Sequence, residues 1–244
     1  MIDIHSHLLF GIDDGAKNMA EALSLLRLAA NDGIERLVLT PHLHFGRFNN
    51  TQESIYGQFL VLRQAASDEA ITIQLAVAAE VRFDSAILSL LVSKQLPMYG
   101  KFEGQRYFLL ELPHSHIPMG CIELITYLKK QNITPVIAHP ERNRDLLAAP
   151  EKIYQLARLG CWFQLTAGAI TGHFGENCQN LSLLYLEQGF AHVVASDAHN
   201  IKRRPPNLSE ARVKVVSLLG EAKAQELFWT NPFNITETMF KNIV

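Results

Sequence analysis

Seven short β-branched or apolar runs recur along this chain, with longer stretches of helical period between them. The runs are Ile2–His5, Arg36–Thr40, Thr72–Ala79, Tyr107–Glu111, Thr134–His139, Trp162–Thr166 and His192–Ser196. Strand followed by helix, repeated in this way, implies parallel strands joined by crossovers and closed as a barrel. The clearest helix is Met19–Asn31: Asn18 can cap it, Glu21 completes a capping-box pattern, and Gly33 follows its end. Leu23, Leu26 and Ala30 would share its buried face. Further helices are expected at Thr51–Ser67, Ser85–Ser93, Ile117–Gln131, Pro150–Leu159, Asn177–Gln188 and Leu208–Leu219. No linker or compositional break divides the chain, so residues 1–244 are expected to form one α/β domain.

The residues at the ends of these runs are as informative as the runs themselves. His5 and His7 follow the first, and His42 follows the second in Thr40-Pro41-His42. Glu80, Glu111 and His139 end the third, fourth and fifth, and Asp197 and His199 follow the seventh. In an α/β barrel the C-terminal strand ends share one face, so these residues would converge there. Residues i and i+2 of a strand point to the same side, which lets His5 and His7 reach one metal. So many carboxylates gathered in one place would repel each other without cations among them. Taken singly, each has a plainer reading: a chance His-x-His, a salt-bridged glutamate, or an aspartate capping a helix. Their joint placement favours metal. His44, His114, His116, His173 and His192 lack that placement and are read as structural or solvent-facing.

Several classes are disfavoured. A net charge of -2 gives no basic excess for a general nucleic-acid binder. Neither a leader nor an apolar run long enough to span a bilayer is evident, so a cytoplasmic protein without membrane insertion is expected. Cys121, Cys161 and Cys178 form no CxxC pair, and none has the arginine six residues later that a cysteine-nucleophile phosphatase requires. No Asp-x-Asp pair suggests an aspartyl-phosphate enzyme. A metal-dependent amidohydrolase also begins with His-x-His, but its usual bridging lysine has no counterpart at these strand ends. Two or three ions close together could activate hydroxide for attack on phosphorus while neutralising the oxyanion and leaving group.

With these residues in view, the chain resembles the polymerase-and-histidinol-phosphatase (PHP) superfamily. It looks most like the bacterial manganese-dependent protein tyrosine phosphatases of capsule and exopolysaccharide operons. The resemblance is carried by Met1-Ile-Asp-Ile-His-Ser-His7, Gly11-Ile-Asp-Asp-Gly15, Thr40-Pro-His42 and Glu80-Val-Arg82. His139-Pro-Glu-Arg142, Ser196-Asp-Ala-His-Asn200 and Arg204-Pro-Pro206 continue it in the same order. It implies a distorted seven-stranded (β/α) barrel of PHP type and two or three divalent ions, chiefly Mn with Fe or Zn as alternatives. The first ion would use His5, His7, Glu80 and Asp197; the second, bridging Glu80 with Glu111 and His139. A third would use Asp14, His42 and His199. Asp14 comes from the resemblance alone, since Asp13-Asp14-Gly15 otherwise reads as a turn. The family places Arg142 and Arg204 at the phosphate. Its substrate would be the phosphotyrosine-containing tail of a cognate bacterial tyrosine kinase. A small-molecule phosphatase such as histidinol phosphatase, or a catalytically silent regulatory module, stays open as an alternative. The loop Leu43–Asn50 and the segment Ala167–Gly175 form the expected rim.

Overall fold

The structure is a computed structural model and describes residues 1–241. It is a distorted seven-stranded (β/α) barrel. The strands are β1 (Ile2–Asp3), β2 (Arg36–Leu39), β3 (His42–Leu43), β4 (Gln74–Val77), β5 (Glu80–Arg82) and β6 (Lys101–Phe102). They continue as β7 (Gln105–Glu111), β8 (Ile133–Ala138), β9 (Trp162–Thr166) and β10 (Val193–Ala195). β2 runs into β3 and β4 into β5, with Ala78 N donating to Leu39 O and Glu80 N to Pro41 O across the breaks. The order is β1-β2-β4 in one sheet and β3-β5-β7-β8-β9-β10 in the other, all parallel. The ring closes where Ser6 bridges Ala198, with Asp197 N donating to His5 O at 2.8 Å and His7 N to Ala198 O at 2.7 Å. β6 lies off the barrel as an antiparallel partner of β7. Its turn uses Glu103 and Gly104, both at positive φ, the pairing that a two-residue hairpin with native twist requires.

The helices are α1 (Met19–Asn31), α2 (Gln52–Asp68), α3 (Ala86–Val92), α4 (Cys121–Lys130), α5 (Arg144–Ala148) and α6 (Ile153–Arg158). After them come α7 (Ala167–Ile170), α8 (Glu176–Glu187), α9 (Ser209–Leu219), α10 (Glu221–Gln225) and α11 (Asn231–Lys241), with a π turn Glu226–Thr230 before α11. Asn18 caps α1 through Glu21 N, but the Glu21 carboxylate accepts from Lys17 N, so the reciprocal half of the expected capping box is missing. A complete box occurs instead at α2, between Thr51 and Ser54. On α1 the buried face is centred on Ala22, Leu25, Leu26 and Ala29; Ala30 is only half-buried. The leucines nearest the sheet therefore set the helix rotation.

Two apolar layers hold the molecule together. One lies between the strands and the surrounding helices. The other fills the barrel, with Ile2, Val38, Ala76, Leu109, Val136 and Val193 contributed by different strands. The floor is closed by the last helical segment, which brings Trp229, Phe233 and Ile235 under the strands. Gly100 makes that closure possible. Its N–H donates to Ile235 O at 2.7 Å, and a Cβ there would come 2.3 Å from Thr238 Oγ1. Among the described residues no helix is long and apolar enough to cross a membrane.

Candidate metal centre

The two-residue strand period carries the barrel's inward face from apolar to ionisable. Ala78 is followed two positions later by Glu80, Leu109 by Glu111, and Ala195 by Asp197. Aliphatic residues therefore fill the middle of the barrel, and acids crowd its upper end. Two of the site residues also sit on backbone that side chains seldom adopt: His139 has φ 35° and Asp197 φ 53°. Such conformations cost on the order of 1–3 kcal/mol and persist where the surroundings over-determine them. Both turn the chain at a strand end, which aims their side chains into the mouth.

There His5 Nε2 and His7 Nε2 are 3.2 Å apart. Each lies 3.3 Å from Glu80 Oε2 and 3.3–3.4 Å from Asp197 Oδ1. The His5, His7 and Glu80 atoms, each 3.2–3.3 Å from the next, leave room for a point about 2.0 Å from all three, the length of a metal–nitrogen or metal–oxygen bond. Beside them His139 Nε2 meets Glu80 Oε1 at 2.7 Å, and His42 Nδ1 lies 3.0 Å from Glu80 Oε2 and 3.7 Å from Glu111 Oε2. On the outer side Asp14 Oδ1 lies 3.4 Å from His42 Nε2 and 3.5 Å from His199 Nε2. Potential ligand atoms thus gather as His5/His7/Glu80, His5/His139/Asp197, His42/Glu80/Glu111 and His7/Asp14/His42/His199. The residues anticipated for three ions are all present. Glu111 groups with His42 and Glu80, while His139 lies nearest Glu80, 2.7 Å from its Oε1, and also groups with His5 and Asp197.

The donor set fits divalent cations. Glu80 Oε2, Asp197 Oδ1, Glu111 Oε2 and His42 Nδ1 are buried and have no hydrogen-bond partner. Buried polar atoms left so are costly unless something else satisfies them. Burial opposes the charge on Glu80, but His5 and His42 hold it well below the usual carboxylate range. Asp197 is likewise held low, by Arg142, His5 and Arg204 against its burial. Burial, with the Glu80 charge, pushes Glu111 up to about 7. Burial and Arg142 bring His139 down to about 3, and burial and His7 bring His199 down to about 4, leaving both imidazoles neutral with lone pairs to offer. His7 behaves oppositely, since the neighbouring Asp13 overcomes burial and raises it well above the ordinary value.

Around this cluster stand residues whose roles sequence reasoning did not assign. Asp13 Oδ2 accepts from His7 Nδ1 at 2.8 Å and from His42 N at 3.0 Å, fixing the His7 ring with Nε2 inward. Gln164 Oε1 does the same for His5 Nδ1 at 2.7 Å. A lone glutamine in the apolar strand Trp162–Thr166 was a visible signal. Arg82 donates to Glu111 Oε1 at 2.7 Å, as its position two beyond Glu80 could have suggested. Arg142 and Arg204 both donate to Asp197 Oδ2 at the edge of the cavity. Arg203 does not line that cavity; it lines a small neighbouring hollow, which Arg204 and Phe174 also line. The cavity itself, about 130 Å³, is lined by Asp14, His42, Glu80, Glu111, His139, Asp197 and His199, with Arg47, Arg82, Arg142 and Arg204 among its cations. His114 is exposed, as expected, yet its ring stacks on His139 at 5.5 Å and also lines the mouth. His192 is structural, with Nδ1 2.8 Å from Phe190 O and its ring against Trp162.

Residues 1–237 match the family described as capsular polysaccharide synthesis, CpsB/CapC. The chain is 34% identical over 211 residues to the tyrosine-protein phosphatase YwqE of Bacillus subtilis, covering 86% of this chain and 82% of that protein. It is 33% identical over 244 residues to the tyrosine-protein phosphatase CpsB of Streptococcus pneumoniae, covering 96% and 98%. Among solved structures, one from a set comprising YwqE and CpsB, described as unique metal-dependent tyrosine phosphatases, superposes with a TM-score of 0.86 at 31% identity. It covers 100% of this chain and 96% of the other. The lactonase Lmo2620 of Listeria monocytogenes, at 14% identity and TM-score 0.63 with 96% and 93% covered, shares the fold alone.

Proposed function

The chain belongs to the capsular polysaccharide synthesis family CpsB/CapC, and from that premise we propose that it is a metal-dependent protein tyrosine phosphatase acting in capsule or exopolysaccharide synthesis. The observation that carries this reading is the set of buried, partnerless donors, Glu80 Oε2 and Asp197 Oδ1 above all, packed against the His5 and His7 nitrogens. We assign His5, His7, Glu80 and Asp197 to one ion, Glu80, Glu111 and His139 to a second, and Asp14, His42 and His199 to a third. Mn is the first choice, and Fe or Zn suit the same mixture of imidazole and carboxylate. Ions in such sites act as Lewis acids and make a water acidic enough to ionise at neutral pH.

The chain's own groups do the rest. Asp13 and Gln164 orient the imidazoles. Arg142 and Arg204 offer guanidinium donors at one side of the cavity, where a phosphate can take two contacts at once. We propose further that residues 1–244 act as one catalytic domain in the cytoplasm, where Cys121, Cys161 and Cys178 stay reduced. Its partner there is the phosphotyrosine-bearing tail of a bacterial tyrosine kinase. The exposed Phe45 and Arg47 beside the mouth suit an aromatic phosphate on a flexible segment.

The test is turnover of a phosphotyrosine peptide and of histidinol phosphate, after chelation and after Mn or Zn add-back. Phosphotyrosine hydrolysis that disappears on chelation and returns with Mn is expected. Full activity in protein shown to be metal-free by elemental analysis would defeat the mechanism. Hydrolysis of histidinol phosphate in preference to the peptide would move the chain to the small-molecule class.

A further inference from the structure

On the reading that this cavity takes a phosphate ester, we infer that Phe174 is a positioning residue that holds Arg142 and Arg204 ready for the phosphate. The guanidinium carbons of Arg142 and Arg204 lie 4.9 and 5.7 Å from the centroid of its ring. Both arginines also donate to one and the same atom, Asp197 Oδ2. Two cations drawn to a single oxygen repel each other, and the electron-rich face of an aromatic ring offsets part of that repulsion. The ring also restricts where each planar fork can lie. The Nε atoms of both arginines are buried and without partners, so each keeps a donor uncommitted.

Phe174 is itself held from behind. It lies in the turn between α7 and α8, where His173 N donates to Gly168 O at 2.7 Å and Gly175 N to Gly172 O at 3.0 Å. Gly168 leaves room for the ring, because a Cβ there would come 3.0 Å from Phe174 Cε2. The ring belongs to neither apolar layer of the barrel. A phenylalanine outside both cores, wedged between a glycine and two guanidiniums, acts through those guanidiniums.

The experiment compares Phe174→Leu, Phe174→Tyr and Phe174→Trp in metal-loaded protein. It reads kcat and KM for p-nitrophenyl phosphate, the Kd of inorganic phosphate by calorimetry, metal content and Tm. Phe174→Leu should keep its metals and its Tm while binding phosphate about tenfold more weakly, with kcat/KM down by a similar factor. Tyr and Trp should restore both to within about twofold, since they keep the π face. In an Arg204→Ala background the Leu substitution should cost only about threefold or less, because the two residues act together. The inference is overturned if Phe174→Leu binds phosphate as the wild type does, or if Tyr and Trp are as impaired as Leu. It is equally overturned if Phe174→Leu loses its fold or metals, which would make the ring structural. Absence of phosphatase activity in the wild type defeats the functional reading alone, because the phosphate Kd values still decide the role of Phe174.

Discussion

Asp13 shows how a residue that touches no proposed ion can govern one that does. Its carboxylate receives His7 Nδ1 and His42 N together, so removing it frees one imidazole and loosens the strand end that carries another. Outer partners of this kind are worth about tenfold to a hundredfold in metal affinity. Asp13→Ala should therefore lose metal to a chelator at concentrations that leave the wild type loaded, while Asp13→Asn loses less. Equal retention of metal in Asp13→Ala, by elemental analysis, would show that His7 is oriented by packing alone. The cysteines give a contrasting case. Burial pushes Cys121 and Cys161 up to about 12, above the ordinary thiol value. The folded chain thus holds protons that the unfolded chain releases from about pH 9 upwards. Stability from these thiols is complete below that pH and falls as pH rises towards 12. Between about pH 8 and about pH 10 the urea midpoint should fall for the wild type and fall less for a Cys121→Ala/Cys161→Ala pair. At about pH 8 iodoacetamide should leave both thiols unmodified until urea unfolds the protein, and fast native labelling of either would contradict their burial.

At the scale of elements, the loop after β1 is built around a missing side chain. A Cβ on Gly15 would stand 1.9 Å from His7 O and 2.6 Å from His7 Cβ. No rotamer relieves a clash between two backbones, so Gly15→Ala should displace His7 and cost metal and turnover together. A Gly15→Ala protein with full metal content and wild-type kcat would refute that. The strands and long helices were legible because each buries a continuous apolar run between recognisable stops, as in Ile133–Ala138, where every residue is buried. The convergence of the strand-end ligands was legible for the same reason, since parallel strands bring their C-terminal ends to one face. Asp13 was not legible: in sequence it is half of an Asp-Asp-Gly turn, and only the return of the chain past His7 gives it a partner. The short helices α5 and α7 lie below the length at which periodicity shows. Pro232, which would interrupt a regular helix, follows directly on the π turn within a helical segment that runs on into α11.

For the molecule as a whole, the terminal segment 226–241 decides more than its late position suggests. It went unread because its apolar residues Phe228, Trp229, Phe233 and Ile235 follow a π turn and not a single helical repeat. Trp229, Phe233 and Ile235, packed under the strands, leave the barrel filled by side chains, with the metal cavity at its opposite end. That makes the cavity a blind well, with one doorway serving arrival and departure alike. A phosphotyrosine must dip in side chain first, and freed phosphate must leave by the same route before the next can enter. The polypeptide that carries it cannot be threaded through, so successive phosphates on one peptide call for successive visits. A doubly phosphorylated peptide should accordingly release its singly phosphorylated form into solution, where excess unlabelled substrate traps it in a pulse-chase experiment. Conversion of the labelled peptide straight to the phosphate-free product under that chase would mean that the peptide stays docked between turnovers, held by a surface outside the well.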